Sequence, residues 1–120
     1  MEIPARLVIG PYRYRVTVDP RELLSRGHED GTARGEADGD RKIIRVDPTF
    51  PEENPITLLH ETLHAIGDVA GWRDPEEKVD QETAIRRFAP LLVDTLRRNP
   101  QLVYYLTDLV PREEQRQGAW

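Results

Sequence analysis

Asx-Pro dipeptides punctuate this chain, and they constrain where its helices can begin. Asn54-Pro55, Asp74-Pro75 and Asn99-Pro100 each set a capping side chain before a residue whose φ is already near the helical value. The missing proline N–H costs nothing in a first turn. Asp19-Pro20 repeats the pattern with Glu22 in the first turn, which predicts a short helix through Leu23 and Leu24. Glu77 stands at capping-box spacing from Asp74, so a long helix is expected from Pro75.

Before the second of these signals the pattern is that of strands. Leu7, Val8 and Ile9 form a short apolar run, and Gly10-Pro11 turns the chain into YRYRVTV. There Tyr12, Tyr14, Val16 and Val18 alternate with Arg13, Arg15 and Thr17, which predicts a half-buried strand with its tyrosines and arginines on opposite faces. That separation argues against an aromatic, basic nucleic-acid surface. The stretch from Gly27 to Arg41 is rich in Gly and acid, yet His28, Glu29, Asp30, Glu36, Asp38 and Asp40 lack the spacing of a calcium loop. A short strand is expected near Arg34 to Ala37, with Asp38-Gly39-Asp40 as the turn into a strand from Lys42 to Val46. Asp47-Pro48 ends it.

The helix opened by Asn54 and Pro55, and closed by Gly71, carries ITLLHETLHAIGD. Ile56, Leu59, Leu63, Ile66 and Ala70 give it one apolar face on helical spacing. His60 and His64 lie one turn apart, so both imidazoles can grip one ion, and two such ligands supply half of a tetrahedral zinc site. Glu61 sits one step round. In an H-E-x-x-H arrangement its role is that of a general base, taking a proton from water whose pKa the ion lowers to roughly 7. Gly67 would let another segment approach closely.

In the next helix Ile85, Ala89, Leu92 and Leu96 fall on one stripe, and a step back of three residues reaches Glu82. A carboxylate at a core position must be paired or metal-bound, which makes Glu82 the expected third ligand. Glu76 and Glu77 remain alternatives, with a simpler explanation as first-turn acids that favour the helix dipole. Pro90 is expected to kink or restart this helix near Ala89. Leu102, Val103, Leu106, Leu109 and Val110 supply the apolar face of a last helix that Pro111 ends.

At 120 residues, with 38% hydrophobic and 32% charged residues, the chain suits a single domain over residues 1–111 and a flexible tail over 112–120 that ends in Trp120. No apolar run approaches the roughly 20 residues of a bilayer span, and the first residues lack the pattern of a secretory signal, so a cytoplasmic monomer without membrane contact is expected. The net charge of −5 argues against nonspecific nucleic-acid binding. Without cysteine, any metal must be held by His and carboxylate.

Strands first, then LLHETLHAIG, then a helix with a glutamate: this layout resembles the zincin metallopeptidases, in particular the minimal gluzincins. KIIRVDP, the acidic connector and the later LRRNP are also similar to the small H-E-x-x-H proteins common in bacteriophage genomes. The resemblance implies an α+β fold, a small twisted sheet of three to four strands packed on the H-E-x-x-H helix and a glutamate helix. It also implies zinc held by His60, His64 and a downstream acid, with Glu61 as base. Ala70 stands where a metzincin would carry its third histidine. Two functions are expected on these grounds: a zinc peptidase acting on a peptide or protein substrate, or a metal-stabilised binding or regulatory module of phage type that cleaves nothing. His28, Tyr104 and Tyr105 are open candidates for steadying an oxyanion.

Overall fold

The computed structural model describes residues 2–19, 34–71 and 80–108. The expected helix through Leu23 and Leu24, the helix start at Asp74 and the tail after Pro111 lie outside them. The architecture is α+β: strands β1 (Arg6–Ile9), β2 (Tyr12–Val18), β3 (Gly35–Asp38) and β4 (Ile43–Val46) precede helices α1 (Asn54–Val69), α2 (Gln81–Arg98) and α3 (Pro100–Thr107). Among the described residues no helix is long and apolar enough to cross a membrane.

The sheet runs in the order β1-β2-β4-β3. β1 and β2 pair antiparallel around Gly10, whose φ of +58° suits the first position of a tight hairpin turn. β3 and β4 form a second antiparallel pair, and β2 joins β4 in parallel, with Val16 beside Ile44 and Val18 beside Val46. Directly paired residues share a face. Leu7, Ile9, Tyr14, Val16, Ile44 and Val46 therefore point to one side, where all six are buried together with Leu58, Ala65 and Ile66 of α1 and Leu102 of α3. α1 lies over β3 and β4, and α2 over β1.

Arg45 points to the other side of the sheet and is nevertheless buried. Its guanidinium stands 3.4 Å from Glu36, its cross-strand neighbour, and 3.7 Å from Asp38, so the charge is paired where it is hidden from water. Asp38 also accepts hydrogen bonds from the backbone of Asp40 and Arg41, which folds the chain back toward β4.

The helices depart from the sequence expectation in four respects. A short 3-10 turn (Pro51–Glu53) runs directly into α1, so Asn54 is its first residue rather than its cap. The core face of α1 is Leu58, Thr62, Ala65 and Ile66, while Ile56 is 72% exposed and Leu59 37%. Glu61 and Thr62 sit within that core stripe and break its apolar rhythm; the Thr62 hydroxyl satisfies itself on the Leu58 carbonyl. α2 begins at Gln81, because the Asp80 carboxylate accepts from the Thr83 N–H and caps it there, and the same bonds hold that carboxyl below its usual range. Finally, α2 runs through Pro90 without interruption. Pro90 and Arg86, whose carbonyl loses its helical partner, are both exposed residues of α2. The expected stop at Gly71 is observed: its φ is +83°, and its N–H donates to the Asp68 carbonyl.

Candidate metal centre

Helical spacing brings His60 and His64 together on the outer side of α1. Their Nε2 atoms lie 3.1 Å apart, with ring centroids 4.8 Å apart and ring planes at 72°. Two lone pairs cannot face each other at that distance unless a proton or a cation sits between them. Zinc at its usual 2.0–2.1 Å from each nitrogen would see them at about 95–102°, close to a tetrahedral angle. The pair therefore fits a metal ion. Glu61 completes the cluster, with ligand atoms of the three residues all within 4.8 Å of one another. Its side chain turns inward and is only 7% exposed, while His60 is open to solvent.

Glu82 does not join them. It lies in the first turn of α2, with a side chain 69% exposed and paired to Arg86 at 3.2 Å, one helical turn on. The stripe that leads back to Glu82 is largely exposed on α2. Phe88 and Leu91 pack on the core together with Leu92 of the expected stripe, whereas Ile85, three residues after Glu82, is 50% exposed. Glu76 and Glu77 fall outside the described residues, as does His28. Tyr104 and Tyr105 sit half-buried on α3, and neither lines the cleft beside His60. Tyr105 instead faces a cavity with Ile3, Pro55 and Leu106, and burial pushes its phenol above the ordinary tyrosine value.

That cleft, of about 490 Å³, runs between α1 and β3, the edge strand of the sheet among the described residues. Glu53, Ile56, Thr57, His60 and Glu61 line it from the helix side, and Arg34 and Gly35 from the strand side. The Asp47 N–H bonds to the Arg34 carbonyl, which in an antiparallel ladder turns the peptide groups of Gly35 and Ala37 outward along the edge. Arg34 is steadied at the mouth by Glu53 at 3.5 Å and by the Phe50 ring, 4.2 Å below its guanidinium. The strand expected near Arg34 to Ala37 is present, while the part of Gly35, Thr57 and Ile56 in lining the cleft is not apparent from the sequence. A glycine inside a strand, a recognised sign of close approach, was the available signal for Gly35.

The chain matches no protein-family model, no curated protein and no solved structure.

Proposed function

We propose that the protein is a zinc-dependent peptidase of the H-E-x-x-H, zincin type, with His60 and His64 holding the ion and Glu61 acting as general base. The observation that carries this reading is the convergence of the two Nε2 atoms at 3.1 Å beside an inward-facing carboxylate. Bound there, zinc supplies Lewis acidity that brings the pKa of water down to about 7 and polarises a carbonyl. Glu61 takes the proton as water attacks the peptide carbon, and returns it to the departing amide nitrogen. An extended peptide suits the cleft. The outward peptide groups of Gly35 and Ala37 offer it a strand to pair with, and Ile56 offers an apolar contact.

Elemental analysis of zinc-reconstituted protein, with peptide hydrolysis measured on the same samples, tests the reading. One zinc per chain is expected in the wild type and none in His60→Ala, while Glu61→Gln keeps zinc and loses hydrolysis. A wild type that binds zinc but cleaves nothing across a broad peptide library would replace the peptidase with a metal-stabilised binding module.

A further inference from the structure

Gly35 is the point at which the edge strand meets the helix of the candidate site. A Cβ built on it would lie 2.7 Å from the Thr57 Cγ2, 2.9 Å from the Arg45 carbonyl oxygen and 2.9 Å from the Glu61 Cγ. The backbone at Gly35 is ordinary strand, so its conformation does not require glycine; the space does. We propose that Gly35 is a positioning residue for Glu61: its bare Cα is the seat on which the carboxylate stem rests, and this contact fixes where the base stands in the cleft.

The alternatives open to the stem are few. Glu61 leaves α1 on the side facing the sheet, among Thr57, Leu58 and Ala65, all buried. With Gly35 beneath it, the stem lies flat against the strand and its head reaches the cleft that Gly35 and Glu61 both line. Any side chain at position 35 lifts it. Ordinary carbon contacts are about 3.5 Å or more, so the 2.7 and 2.9 Å separations demand a shift of roughly 0.6 to 0.8 Å. A functional group must stand within about 0.5 Å of its productive position, and a misplacement near 1 Å can cost about a hundredfold in rate. None of the three nearest atoms a Cβ would meet belongs to His60 or His64, so metal binding is expected to be spared.

The kinetic half of this proposal rests on the peptidase reading; the positional half does not, and the test separates them. Gly35→Ala and the wild type are labelled as purified with a water-soluble carbodiimide and an amine, and modification of each carboxylate is followed by peptide mass. Asp38 is the internal control, since it is as buried as Glu61, at 7% exposure, on the other face of the same strand. Glu61 labelling is expected to rise at least fivefold in the variant with Asp38 unchanged. Zinc content and the absorption of the cobalt-substituted protein are expected to stay at wild-type values, while kcat falls ten- to a hundredfold and KM moves less than threefold. Should Gly35→Ala fold poorly, Gly35→Ala with Thr57→Ser removes the nearest conflict, keeps those with Glu61 and the Arg45 carbonyl, and is read in the same way. Wild-type labelling of Glu61 in the variant, or a parallel rise at Asp38, would overturn the proposal, the second by showing that the strand has merely loosened. If the wild type hydrolyses no peptide, the peptidase reading fails and the labelling ratio alone decides the role of Gly35.

Discussion

Asn99 closes one edge of the sheet with its side chain, and removing it should cost more than any surface position. It follows α2 directly and is 5% exposed. Its Oδ1 accepts from the Val8 N–H at 2.8 Å, and its Nδ2 donates to the carbonyls of Val8 and Thr95, each at 2.7 Å. Val8 sits at a position of β1 whose peptide groups point away from β2, so the amide takes the place of a neighbouring strand. Asn99→Ala strands three backbone groups. An unsatisfied buried group costs about 1–3 kcal/mol, and Val8 is near enough to the surface for water to recover part of this, which leaves a loss of about 2–4 kcal/mol. Asn99→Asp is the sharper perturbation: one oxygen still accepts from Val8, but the other now faces two carbonyls. At neutral pH it should be less stable than Asn99→Ala. The conflict raises the folded-state pKa of the new carboxyl, so its stability is present below the ordinary aspartate value of about 4 and is lost as pH rises through the folded value. Urea unfolding at pH 7 and pH 4 measures both effects. A loss below about 1 kcal/mol for Asn99→Ala, or an Asn99→Asp variant no worse at pH 7 than at pH 4 relative to wild type, would refute the reasoning.

Glu82→Ala should leave zinc content unchanged and cost no more than about 0.5 kcal/mol, the worth of an exposed pair one helical turn apart; loss of the metal would return Glu82 to the site. Tyr14 is 1% exposed, and its hydroxyl finds no hydrogen-bond partner among the described residues. Burial first, then Asp68, Tyr12 and Asp38, hold its phenol above the ordinary tyrosine value. The stability tied to that proton is therefore full below pH of about 10 and lost as pH rises through the folded value. Tyr14→Phe should melt no lower than wild type at pH 7 and should decline less between pH 9 and 11.5, which a series of thermal melts would show. Pro90→Ala restores the bond to the Arg86 carbonyl and should raise stability by roughly 1–2 kcal/mol in urea titrations. An unchanged midpoint would mean that α2 is already relaxed around the ring.

The strands were legible because their signals are local. Tyr12 to Val18 alternates without a fault, and the turns at Gly10 and Asp38 to Lys42 carry their own chemistry. The parallel seam between β2 and β4 left no such trace, since nothing in Val16 or Ile44 says which strand lies beside it. The histidine pair was legible for the same local reason, four residues along one helix. Which face of that helix meets the sheet was not, because the core stripe contains Glu61 and Thr62, and the exposed face carries Ile56 and Leu59. α2 shows the same ambiguity between Ile85 and Phe88: Ile85 is exposed, Phe88 packs on the core, and Glu82 lies exposed beside Arg86.

The sheet is two hairpins joined at a parallel seam, and this orders its assembly in time. Each hairpin closes across a short turn, on the microsecond scale, whereas pairing β2 with β4 must first close the long connection between Val18 and Ile43. The histidines need only a helix and can meet as soon as α1 forms. Glu61 must wait for β3 to arrive beneath it, since its seat on Gly35 comes from a distant part of the chain. A chain caught before that docking would already bring the two imidazole nitrogens together, with the carboxylate not yet in place. On the peptidase reading, capture of a metal would therefore precede assembly of the base.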